Sequence, residues 1–214
     1  MRRIAALYED AVAREPAVEL LTGAGATRPA LLSGAPHARF LHLATHGYYD
    51  PGSVPSLRDD RPVDASSGLG RHASRGEQVR GLAPWLLAGL ALAGADRPAR
   101  GGRVTAEELA ALDLSGCELA VLSACEGALG ERRDGLGLAS LQSALLAAGA
   151  RTVVAAPWRV SDERTAELMA AFYEALWVEG LPPGRALWRA KSAVRARHPS
   201  PASWAGWVLA GRPD

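Results

Sequence analysis

The 214-residue chain has two cysteines, two methionines, two phenylalanines and one lysine, Lys191. Each scarcity excludes something. Two cysteines cannot build the disulfide framework of a small secreted domain. Nor can Cys117 and Cys125 pair with each other. Placed at the two ends of one strand, they stand roughly 26 Å apart, beyond disulfide reach. Both are expected to be free thiols in a reducing compartment. Charge of one sign is also lacking: 24 basic and 23 acidic residues leave a net charge of +1. No global field therefore favours nucleic acid or an anionic membrane as a partner.

Long apolar runs are missing too. The longest, Leu82 to Ala95, is interrupted by Pro84 and Gly89 and is too short to span a bilayer. Glu9, Asp10, Arg14 and Glu15 follow the start, where a signal peptide needs an apolar core. A soluble, cytoplasmic protein is expected. Walker and dinucleotide fingerprints are absent, and no Gly-x-Ser-x-Gly elbow surrounds Ser123. A cysteine phosphatase needs Arg six positions after Cys125, where Glu131 stands. His42 and Cys117 lie within or at the far end of apolar strands, which suits core packing rather than a metal site. No metal and no cofactor are expected.

What is present reads as one α/β domain. Ile4 to Arg14 has helical composition, and Ala17 to Leu21 is predicted to be a short strand. Thr27 is a candidate N-cap with Pro29 early in the helix that follows. Arg39 to Thr45, a segment centred on Val121 and Leu122, and Arg151 to Ala156 are predicted strands. Between the last two, Leu136 to Ala148 carries leucines at helical spacing and stops at Gly149. That strand–helix–strand order predicts parallel pairing. Ser161 is expected to cap a long helix to about Glu179. A further helix should run from Gly184 to about Arg197, and Trp207-Val208-Leu209 could form a last short strand. Asp50 to Arg80 holds five Arg and five Asp/Glu with no apolar period. It is expected to be a charged, flexible insertion over the mouth of any site at His46.

The two strongest strands each deliver a reactive side chain. Leu41-His42-Leu43-Ala44-Thr45-His46-Gly47 ends in His46, and Leu119-Ala120-Val121-Leu122-Ser123-Ala124-Cys125 ends in Cys125. Ligands of open parallel sheets sit beyond the carboxyl ends of the strands. A thiol and an imidazole brought together there can act as nucleophile and base. Gly47, lacking a Cβ, lets its N–H approach a substrate oxygen. The N–H of Cys125 is the natural second donor of an oxyanion hole.

These residues resemble the CHAT domain, a caspase-related cysteine peptidase family of the clan that includes separase and gingipain. Phe40 to Gly47 resembles its His-Gly motif, and Val121-Leu122-Ser123-Ala124-Cys125-Glu126 its Leu-Ser-Ala-Cys-Glu motif. Leu87 to Ala95 and Val104 to Leu109 resemble the segments between them. Downstream, Pro157-Trp158-Arg159-Val160-Ser161-Asp162 resembles the Trp-x-Val-x-Asp element, and Met169 with Phe172-Tyr173 a Met-x-x-Phe-Tyr helix. The likeness covers nearly all of residues 1–214 except the 50–80 insertion, so the whole chain is expected to be one such domain.

The resemblance implies a caspase-like three-layer α/β/α sandwich with a mostly parallel sheet. Family members carry more chain ahead of Gly25-Ala26-Thr27, so the N-terminal part of the sheet is expected to be truncated or supplied elsewhere. The resemblance further implies a cysteine endopeptidase. Cys125 would be its nucleophile, His46 its general acid/base, and Gly47 and Cys125 its oxyanion donors. Trp158 and Asp162 would contribute to substrate binding. Their competing roles are core packing for Trp158 and a first-turn acid for Asp162. The implied partners are a protein or peptide substrate, in a bacterial regulatory or defence pathway, and a TPR-type recognition module in this or a neighbouring chain. No 34-residue period is visible in these 214 residues. The rival readings are a non-catalytic interaction domain of the same fold and a hydrolase of small amides.

Overall fold

A computed structural model describes residues 1–12, 18–49, 84–96, 101–123, 125–126, 136–156 and 161–214. Its main sheet forms where the sequence is apolar on both faces. Strands β1 (Phe40–Leu43), β5 (Leu119–Leu122) and β7 (Thr152–Ala155) are parallel, and β8 (Val208–Gly211) closes the edge antiparallel to β7. All eight residues of β5 and β7 are buried, as expected of central strands covered on both sides. Helix α5 (Leu136–Ala147) makes the crossover from β5 to β7. It stops at Gly149, whose φ of +108° few side chains tolerate.

The alternation along β5 and β7 sorts the core into two layers. Ala120, Leu122, Val153 and Ala155 join Leu141, Ala144 and Leu145 on one face. Leu119, Val121 and Val154 pack on the other face, against Leu168, Met169 and Phe172 of α6 (Asp162–Tyr173) and Ala186, Ala190 and Val194 of α7 (Pro183–Arg197). Helix α1 (Arg2–Ala11) lies over the same face and buries no residue fully, touching the cluster through Ile4 and Leu7. The result is the expected three-layer α/β/α sandwich around a mostly parallel sheet.

A second sheet has the order β4-β3-β2-β6. Strand β2 (His46–Tyr49) pairs antiparallel with β3 (Ala88–Ala91), which pairs antiparallel with β4 (Arg103–Thr105). Strand β6 (Cys125–Glu126) pairs parallel with β2. The one-turn helix α3 (Pro84–Leu87) leads into β3, and α4 (Ala106–Ala110) follows β4. Helix α4 starts from a reciprocal capping box between Thr105 and Glu108. Burial works to raise the Glu108 pKa, but hydrogen bonds from Arg28 and Thr105 outweigh it and hold the carboxyl below its ordinary value.

Several expected elements sit where the sequence placed them. Thr27 Oγ1 accepts from Ala30 N–H at 3.3 Å and caps α2 (Arg28–Gly34), and Ser161 Oγ accepts from Arg164 N–H at 3.3 Å at the start of α6. Two differ. The strand expected at Ala17 to Leu21 is absent among its described residues, 18–21. They have no strand partner, and Leu20 and Leu21 are exposed. The helix expected from Ser161 to Glu179 is α-helical only to Tyr173 and continues as a π-helical turn over Glu174–Val178. The expected insertion at 50–80 lies outside the described residues.

Candidate functional site

The site is built where two parallel strands break and resume together. β1 pairs with β5 from Phe40↔Leu119 to Leu43↔Leu122. β1 is then interrupted at Ala44 and Thr45, where Ser123 N–H donates to the Leu43 carbonyl at 2.9 Å. Pairing resumes in the same register as His46↔Cys125 and Gly47↔Glu126. The ladder therefore carries one register from the core to the site. His46 and Cys125 do not end the long strands, as the sequence suggested. They open a second pair just beyond them.

The interruption has a specific anchor. Thr45 bends the chain, and its hydroxyl donates to the Ala91 carbonyl at 2.5 Å. Ala91 is in turn the register partner of His46 on β3. Among the described residues β1 has a strand on one side only, whereas β2 lies between β3 and β6. Thr45 thus marks the point at which the edge strand acquires its second neighbour.

On β2, His46 is exposed and Gly47 buried. The same alternation runs across the sheet: Leu90 and Val104 are buried on the core side, and Arg103 is exposed. No hydrogen bond to the His46 ring is formed among the described residues. The pleat of β2 puts it on the exposed face.

His42, four residues earlier, belongs to a different environment. It is half-buried, and its Nδ1 shares a 2.8 Å hydrogen bond with the Tyr173 hydroxyl. Burial first, and the N-terminal charge second, push its pKa down to about 4. Burial likewise raises the pKa of Tyr173 and of the free thiol Cys117. A neutral imidazole and a protonated thiol in the core suit packing, as expected. No His/Cys/Asp/Glu cluster suited to a metal occurs among the described residues.

Asp162 is the first residue of α6, exposed and in the first turn beside Glu163, where an acid is favoured by the helix dipole. Trp158 and Ala124 lie outside the described residues. A cavity of about 270 Å³ occurs at the other end of the main sheet, beside Phe40, Leu119, Leu176 and Trp177. Phe40 and Leu119 begin the strands that His46 and Cys125 continue, so this cavity does not serve the two of them.

The model of the CHAT domain family matches residues 2–212. The chain belongs to the CHAT domain family. CHAT domains form a caspase-like family, which agrees with the sandwich described above. Tetratricopeptide repeat protein 28 of Mus musculus is 31% identical over 198 residues, covering 89% of this chain. The CHAT domain described here spans 8% of the length of that relative. Among the described residues no helix is long and apolar enough to cross a membrane.

Sequence reasoning missed three parts of this site: the β3–β4 hairpin, the Thr45 anchor and the placement of Arg103 beside it. A signal for β4 and α4 was present in Thr105-Ala106-Glu107-Glu108, a capping-box pattern. Nothing comparable announces Ala88-Gly89-Leu90-Ala91 as a strand.

Proposed function

We propose that this CHAT domain is a cysteine endopeptidase acting through Cys125 and His46. The observation that carries the reading is their register pairing on adjacent parallel strands, which sets their Cα atoms about 5 Å apart. In the reaction, His46 takes the Cys125 proton and the thiolate attacks the scissile carbonyl carbon. The C–N bond breaks as the His46 imidazolium protonates the leaving amine, and an acyl-enzyme remains. His46 then deprotonates a water that attacks the thioester, releasing the acid product and the thiol. The N–H groups of Gly47 and Cys125 are assigned to the oxyanion, a role worth about 3 kcal/mol per donor. Trp158 and Asp162 are assigned to the substrate-binding edge.

The substrate is a protein partner, in a bacterial regulatory or defence pathway. A helical-repeat module of TPR type, in the same or a neighbouring chain, presents it. The name of the mouse relative supports that pairing of modules. The reading places the protein in the cytoplasm and treats residues 1–214 as one domain, with 50–80 as a charged insertion.

Digestion of a proteome-derived peptide library by the 214-residue protein tests the reading. New peptide termini should appear with wild type and be absent with Cys125→Ala and His46→Ala. Equal cutting by wild type and Cys125→Ala would contradict it. No cutting by any of the three would favour a non-catalytic interaction domain.

A further inference from the structure

Four positions of the second sheet fall on one line across the strands. Arg103 of β4 is the register partner of Ala91, Ala91 of His46, and His46 of Cys125. Register partners in a pleated sheet share a face. The neighbouring line, Val104, Leu90 and Gly47, is buried. The line through Arg103 and His46 is therefore the outward one, and both residues are exposed. On this line Ala91 of β3 is the position between them.

The arginine is seated. Its guanidinium carbon lies 5.1 Å from the centroid of the Tyr48 ring. Tyr48 follows His46 by two residues on the same face of β2 and is the register partner of Gly89. A Cβ at Gly89 would collide with the Tyr48 hydroxyl and with the Val104 carbonyl. Glycine at that position lets the ring cross β3 and reach Arg103. A guanidinium stacked on an aromatic face keeps its fork of N–H donors in plane, the geometry that receives a carboxylate at two points. Arg103 makes a further interaction as well; a guanidinium carries five N–H donors.

We propose that Arg103, supported by Tyr48, is a substrate subsite that receives an acidic side chain of the polypeptide being cut. The proposal rests on the peptidase reading above and adds the substrate class to it. Two strand spacings separate Arg103 from His46, about 10 Å between backbones. An extended peptide advances about 3.3 Å per residue. The acidic residue thus lies within about three residues of the scissile bond.

The same peptide-library digestion, read by mass spectrometry, locates the preference. Wild type should cut sites enriched in Asp or Glu at one position within about three residues of the bond. In matched synthetic peptides bearing Glu or isosteric Gln there, the Glu form should show about tenfold higher kcat/KM. Arg103→Gln should bring that ratio to about one, and Arg103→Glu should turn the preference to Lys or Arg. Arg103→Lys, which keeps the charge without the fork, should retain part of the ratio and exclude a folding defect as the cause. An unchanged Glu/Gln ratio in Arg103→Gln, with cutting still dependent on Cys125, would overturn the subsite and leave the peptidase reading intact. Absence of any Cys125-dependent cutting by wild type would overturn both.

Discussion

Thr45 and Ala91 are joined across two strands by a 2.5 Å hydrogen bond from the threonine hydroxyl to the alanine carbonyl. The bond falls one residue before His46, whose register partner is that same Ala91. It fixes the place where β1 ends and β2 begins, and with it the height at which His46 leaves the backbone. Backbone pairing thus fixes where His46 stands on the sheet.

Replacing Thr45 by valine removes the donor while keeping the shape. The loss should be about 1 kcal/mol of unfolding free energy, read by chemical denaturation, and Thr45→Ser should recover most of it. If the bond also aims His46, Thr45→Val should lower kcat about tenfold or more with little change in KM, since small displacements of a reacting group are costly. Unchanged stability and unchanged kcat together would show that the contact positions nothing.

Gly89 is occupied from both sides. A methyl group there would meet the Val104 carbonyl, which cannot move without breaking the β3–β4 ladder, and the Tyr48 hydroxyl. Gly89→Ala should therefore cost about 1–3 kcal/mol of stability, typical of overpacking. Thermal unfolding monitored by circular dichroism checks this, and a variant as stable as wild type would show that Tyr48 does not cross β3.

His42 gives the fold a pH dependence of known sign. Its folded pKa of about 4 lies below the ordinary histidine value of about 6.5, so the unfolded chain binds the proton more tightly. The His42 contribution is complete above about pH 6.5 and is lost as the pH falls towards the folded value, with no further change below it. Between about pH 7.5 and about pH 5, this one group should remove about 2 kcal/mol of stability. Denaturation at the two pH values, with His42→Gln as reference, measures the difference. The glutamine variant should be less pH-sensitive by that amount.

How much of this was legible in the residues depended on where burial was two-sided. Leu119-Ala120-Val121-Leu122 and Thr152-Val153-Val154-Ala155 are apolar throughout because helices cover both faces, and such runs announce a parallel sheet. The helix between them was equally clear, down to its stop at Gly149. The β3 strand was not legible. Ala88-Gly89-Leu90-Ala91 contains no β-branched residue, and its glycine answers to Tyr48 from another strand, a contact no local pattern records.

The opposite error occurred at Val18 to Leu21. Apolar residues there suggested a strand, but the described chain is unpaired. The π-helical turn at Glu174–Val178 was invisible for a related reason: it shifts the helical period without changing composition.

At the site, the sequence named His46, Gly47 and Cys125 as residues delivered by two strands. It did not show that pairing stops at Leu43 and Leu122 and resumes in register at His46 and Cys125, because that depends on Thr45, Ser123 and Ala91 meeting across the fold. Arg103 was missed because its relation to His46 runs across β3, through 56 residues of intervening chain.

The most direct measurement of the Cys125–His46 pairing is alkylation by a thiol electrophile, with the modified residue identified by peptide mass mapping. Cys125 should react rapidly in wild type and Cys117, buried and with a raised pKa, should not. His46→Ala should slow the reaction at Cys125 about tenfold or more near neutral pH, because the imidazole no longer assists formation of the thiolate. Labelling that persists undiminished in Cys125→Ala, or a Cys125 rate identical in wild type and His46→Ala, would contradict a working thiol–imidazole pair.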